Sequence, residues 1–154
     1  MELRESLLGR AVTSGTVAGI TSALAASIAG RRETGSYAAP LNATSHIVWG
    51  DEAATHDEPS LKYTLTGFLL NHGSAILWGA LFSQVFDTNR EKSALTPLVG
   101  AAAVTAGAYI TDYYLVPKRF TPGFEKRVSG RSMATIYGAL ALGLAVSSLI
   151  GRRS

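Results

Sequence analysis

The chemistry open to this sequence comes from a short inventory: three histidines, eleven acidic residues and no cysteine. Without Cys there can be no disulfide, thiol nucleophile, Cys-held iron–sulfur cluster or Cys-type zinc site. The chain contains no Walker A sequence, Rossmann glycine fingerprint, HExxH or GxSxG, so no reaction class is signalled by a motif. What remains is a set of polar side chains in apolar surroundings. His72 follows Asn71 inside a long uncharged stretch, and such a residue is a proton acceptor, a metal ligand or a ligand anchor. The alternative is a neutral His hydrogen-bonded across a helix interface. Asp112 lies among Tyr109, Tyr113 and Tyr114. It either orients or pairs with a His, or is a carboxylate near the headgroups paired with Lys118 or Arg119. His46 shares one helical face with Asn42 and Trp49 at i, i+4 and i+7. Glu52 and His56 stand four apart. With His46 and His72 they are the residues a metal would use, the alternative being a solvated acidic loop. No other cofactor is expected.

The elements that position these residues follow from where charge is absent. The 154-residue chain is 16% charged and 47% apolar, against about 25% charged in ordinary soluble domains. Residues 11–30, 63–86, 93–111 and 132–151 carry no formal charge. About 20 apolar residues at 1.5 Å rise cross about 30 Å of hydrocarbon. A soluble amphipathic helix would show charges every third or fourth position, and the alternation of a barrel strand is missing. The pattern predicts an all-α integral membrane four-helix bundle in one domain, 1–154. Its spans are 8–30, 63–86, 94–116 and 132–151. Residues 38–50, with Pro40 to start and Gly50 to stop, are too few to span and predict a re-entrant or interfacial helix in the first loop.

Small residues recur on single faces: Gly15, Gly19, Ser22, Ala26 and Gly30; Ala75 and Gly79; Ala101, Thr105 and Ala108; Thr135, Ala139 and Gly143. In lipid such stripes permit close helix packing, within a bundle or in a homo-oligomer. Residues 87–92 form a connection short enough to make the second and third spans antiparallel neighbours. In the third loop, Thr121-Pro122-Gly123 reads as a turn. Lys118, Arg119, Lys126 and Arg127 lie there among Phe120 and Phe124, a pattern suited to anionic lipid headgroups rather than nucleic acid.

Four spans place Arg4, Arg10, Arg90, Lys92, Arg152 and Arg153 on one side of the membrane. Arg31, Arg32, Lys62 and the bases of the third loop lie on the other. The balance is nearly even, and the basic third loop leans the first and third loops toward the cytoplasm. The run Pro40-Leu41-Asn42-Ala43-Thr44-Ser45-His46-Ile47-Val48-Trp49-Gly50, the step Asn71-His72-Gly73 and the run Val116-Pro117-Lys118-Arg119-Phe120-Thr121-Pro122-Gly123 together resemble small bacterial four-helix inner-membrane proteins. That likeness implies a bacterial inner membrane and no particular activity. The expectation is a non-enzymatic accessory or binding protein, alone or with a membrane-complex partner, with a polar intramembrane pocket near His46, His72 and Asp112. A membrane-embedded His/Asp metalloprotein or enzyme and a small dimeric transporter are the alternatives.

Overall fold

The computed structural model describes residues 6–87 and 93–151, and no strand occurs among them. Helix α1 spans Leu7–Thr34. Ser6 starts it by accepting the Gly9 N–H at 3.1 Å, a side-chain cap for an otherwise orphaned donor. Gly35 ends it in the left-handed region, φ +81°, with its N–H bonded to the Arg31 carbonyl. The helix therefore runs a turn beyond the expected 8–30 and carries Arg31 and Arg32 in its last turn, where the dipole favours them.

The first loop holds α2 (Ala39–Thr44) and α3 (His46–Trp49), then a 3-10 turn, Asp51–Thr55. A wide π-helical turn, Leu61–Leu65, leads into α4 (Thr66–Val85). Helix α5 (Leu95–Ile110) continues through a second π-helical turn, Thr111–Leu115, into extended Val116 before Pro117. Short 3-10 turns at Lys118–Phe120 and Phe124–Lys126 precede α6 (Gly130–Gly151). Among the described residues three helical stretches are long and apolar enough to cross a membrane: Leu7–Thr34, Leu61–Val85 and Gly130–Gly151. The third expected span, 94–116, is divided between α5 and the π-helical turn. The bases Arg4, Arg90, Lys92, Arg152 and Arg153, and most of the 87–92 connection, lie outside the described residues.

Helix α1 is the centre of the molecule. It packs along α4 on one side and α6 on the other, while α4 and α6 barely meet. The small residues explain the closeness. A Cβ at Gly15 would strike the Ile76 Cα, with the Ala75 carbonyl at 2.9 Å; one at Gly143 would lie 2.5 Å from the Ala18 Cα. Backbone approach of this kind is what small residues supply where lipid gives no hydrophobic drive. Helix α5 packs chiefly on α6 and meets α4 less extensively, for example where Gly100 lies against Phe86, so the neighbourhood expected of the second and third spans is the lesser contact. On α6, Gly143 is buried as expected but Thr135 is exposed. The buried face is instead Met133, Ile136, Tyr137, Leu140 and Leu144.

The stretch 38–50 is neither one helix nor a surface one. It breaks at Ser45, and every residue from Ala39 to His46 is buried. Helix α2 is wedged between the end of α1, where Pro40 sits on Gly30, and the start of α4, where the Leu41 carbonyl sits on Gly67. Asn42 fixes it. Its amide donates to the carbonyls of His56 (2.9 Å) and Glu58 (3.0 Å), and its Oδ1 accepts from Thr64 at 2.6 Å. The break at Ser45 also separates the face expected to join Asn42, His46 and Trp49. Trp49 donates to the Lys62 carbonyl, whereas His46 turns to the third loop.

The first and third loops are stitched together. Lys126 pairs with Asp51 at 2.8 Å, and Arg127 with Asp57 at 2.6 Å. Arg127 also donates to the Ala54 carbonyl, and the Ser129 N–H donates to Glu33. His46 Nε2 donates to the Thr121 carbonyl at 2.7 Å, which puts the proton on that nitrogen and leaves Nδ1 3.9 Å from Asp51. The Lys126 ammonium holds the Asp51 carboxyl below its ordinary value, by hydrogen bond first and charge second. Gly123, φ +84°, allows the turn. A Cβ there would come within 2.7 Å of the Ala43 carbonyl, so glycine serves both the conformation and the approach.

Candidate functional site

The site is a cavity of about 100 Å³ at the end of the bundle nearer these loops. Its walls come from α1, α4, α6 and the π-helical turn after α5. Ser22 stands on α1, and Leu70, Asn71, Ser74, Ala75 and Trp78 on α4. Ile136, Tyr137 and Leu140 come from α6, and Asp112 from the π-helical turn after α5. The roof is Thr44 and Ile47 from the first loop with Phe120, Pro122 and Phe124 from the third. The stitches described above thus tie the two halves of the roof to each other.

Asp112 carries the only carboxylate in the lining. The Tyr137 hydroxyl donates to its Oδ2 at 2.6 Å, a charge-assisted length if the carboxyl is ionised. No basic side chain lies within 4.0 Å of it among the described residues, so the expected pairing with Lys118 or Arg119 is replaced by a neutral phenol. Tyrosines surround the pair: Tyr109 meets Tyr137 edge-on at 5.3 Å and tilts against Tyr113 at 5.2 Å, while Tyr113 donates to Glu125 at 2.9 Å. Asn71 donates to the Gly19 carbonyl (3.2 Å) and to Ser22 (3.3 Å), tying α4 to α1 at the cavity wall.

The three residues expected to converge are placed apart. Asp112 and Asn71 line the cavity; His46 and His72 do not. His46 is buried in the loop junction. His72 lies on the α1–α4 seam, with Nε2 3.3 Å from Thr16 Oγ1 and its ring stacked on Phe68 at 5.8 Å. Its Nδ1 is buried against Gly19 without a hydrogen-bond partner. One position separates Asn71 from His72, and about 100° of helix rotation sends them to different sides of the seam. Tyr109 supports the site from outside the lining.

The metal expectation meets a specific obstacle. Among the described residues no three His, Cys, Asp or Glu side chains gather as a metal would need. Glu52 sits on the 3-10 turn and His56 is the extended residue just after it, so they share no α-helical face, and Tyr63 contacts both. Its hydroxyl donates to Glu52 at 3.1 Å and its ring stacks on His56 at 4.3 Å. The headgroup expectation is also divided. Lys126 and Arg127 are taken up by Asp51 and Asp57, which leaves Lys118 and Arg119 exposed beside exposed Phe120.

Sequence reasoning missed Tyr137, Ser22, Ser74 and Trp78. Tyr137 had a signal of its own, a hydroxyl-bearing aromatic within an uncharged window, whereas Tyr109 was singled out by its place beside Asp112. The chain gives no match to a known protein family, to a curated protein or to a solved structure. Composition and geometry define it as an all-helical protein with three helices fit to cross a membrane.

Proposed function

We propose that this chain is a four-span membrane protein that binds a small ligand in the Asp112–Tyr137 cavity, as an accessory or binding protein rather than an enzyme. The cavity is the observation that carries the reading. A carboxylate, an amide and hydroxyls gathered among apolar walls are the ordinary make-up of a ligand site, and an ionisable residue at membrane depth marks function by default.

A parity argument supports the fourth span. The first and third loops touch through Lys126–Asp51, Arg127–Asp57 and His46–Thr121, so they lie on one side of the membrane. The chain between them must then cross an even number of times. The stretch Leu61–Val85 is long and apolar enough to cross, so α5 with its π-helical turn has to return. At the opposite end Ser148 donates to Asp87 at 2.6 Å, which agrees with residue 87 and the end of α6 sharing the other side. The sequence resemblance suggests a bacterial inner membrane, and the bases of the third loop favour a cytoplasmic side for the stitched loops.

The Cys-free chain makes the test clean. A Ser22→Cys thiol behind the cavity is expected to react with neutral methyl methanethiosulfonate, while Ser83→Cys, fully buried and outside the lining, stays unreactive. An unreactive Ser22→Cys in folded protein refutes the cavity. For topology, a membrane-impermeant maleimide should label Thr55→Cys and Arg119→Cys from one side and Ser93→Cys from the other. Monodisperse protein in buffer without detergent would overturn the membrane reading altogether.

A further inference from the structure

We propose that the ligand of this cavity is an organic cation: an ammonium group on a small apolar or aromatic body. The inference rests on the cavity reading above and names its chemical class. Three observations carry it. First, Asp112 has one oxygen, Oδ2, bonded to Tyr137, and the other takes no hydrogen bond from a described residue. Second, no basic side chain among the described residues pairs with the carboxylate. The remaining polar lining, Ser22, Thr44, Asn71, Ser74 and Tyr137, is uncharged. Of the third-loop bases, Lys126 and Arg127 are spent on Asp51 and Asp57, and Lys118 and Arg119 are exposed rather than part of the lining. Third, Trp78, Phe120, Phe124 and Tyr137 share the lining with Asp112, and aromatic faces attract a desolvated cation. An anion would meet a carboxylate with no cation to offset it. A neutral ligand would leave the free oxygen and the ring faces without their best partner. An ammonium donates to the free oxygen, neutralises the charge and lays its apolar body against Trp78, Ile136 and Leu140.

The test uses the full chain, purified in an uncharged detergent, with the Ser22→Cys thiol as reporter. Its modification is timed with three methanethiosulfonates of similar size: methyl (neutral), aminoethyl (cationic) and sulfonatoethyl (anionic). Each rate is normalised to that of free 2-mercaptoethanol. The cationic reagent is expected to exceed the anionic one by about tenfold or more, the gain typical of a charged cleft. In the Ser22→Cys, Asp112→Asn double variant the ratio should fall to near unity. A second measurement needs no change at Asp112: n-butylammonium should slow methyl methanethiosulfonate at the Ser22→Cys thiol, and n-butanol at equal concentration should not. If the neutral reagent reacts but the cation shows no advantage, or butanol protects as well as butylammonium, the cavity stands and the cation proposal is overturned. If the neutral reagent does not react, the cavity reading itself fails.

Discussion

Replacing Gly15 by Ala adds one methyl group at the seam on which the molecule is built. The new Cβ would meet the Ile76 Cα directly, with the Ile76 nitrogen at 2.8 Å and the Ala75 carbonyl oxygen at 2.9 Å. Ordinary carbon contacts lie at about 3.5–4.0 Å. All three obstacles are backbone, so no side chain can rotate away and α1 must part from α4 by roughly 1 Å. Overpacking of this kind costs about 1–3 kcal/mol. The intrinsic preference of a helix for Ala over Gly returns about 1 kcal/mol, leaving a net loss of up to about 2 kcal/mol. Gly73→Ala on α4 is the internal control. A Cβ there meets nothing within 4 Å, so only the propensity gain of up to about 1 kcal/mol operates. Reversible unfolding in mixed micelles, followed by far-ultraviolet circular dichroism, measures both. The two substitutions are chemically identical, so opposite signs are the signature of close backbone contact. A Gly15→Ala protein stabilised as much as the Gly73→Ala control would refute the packing argument.

Other outcomes follow from the same contacts. Asn42→Ala removes all three hydrogen bonds of a fully buried amide and leaves carbonyls of the first loop without their donor. A loss of about 2 kcal/mol or more is expected in the same unfolding assay, with faster amide exchange over residues 56–64. Lys126→Gln should raise the Asp51 pKa back toward its ordinary value near 3.8, read by carboxyl NMR. Because the folded value is lowered, the pair stabilises above pH 3.8 and that support is lost as pH falls through the lowered value. The variant should therefore show a weaker acid dependence of loop pairing. His72→Ala should leave the Ser22→Cys labelling rate unchanged within twofold, since His72 lies outside the lining; a large change would put His72 back into the site.

Much of the framework could be read from the sequence because charge is so costly in hydrocarbon. The uncharged windows located α1, α4 and α6 to within a turn or two, and the small-residue face of α1 from Gly15 to Gly30 is buried as its spacing implies. Gly50 and Gly123 take the positive φ that their turn positions suggested. The site was only half readable. Asp112 and Asn71 were found by their contrast with apolar neighbours, and both line the cavity. His46 and His72 show the same contrast and do not. Contrast reports burial, and burial alone does not say which of two seams a side chain enters. His46 depends on the break at Ser45, and His72 on the azimuth of α4 around α1, which neither periodicity nor composition encodes. The ion pairs of Lys126 and Arg127 were not legible because their acidic partners lie some seventy positions earlier in the chain, beyond the reach of any local pattern.

The central place of α1 bears on how the protein is made. It is the first of these helices to leave the ribosome, and α4 and α6 each lean on it far more than on each other. Every later segment thus finds its docking platform already made, and the structure can be completed one addition at a time in the order of synthesis.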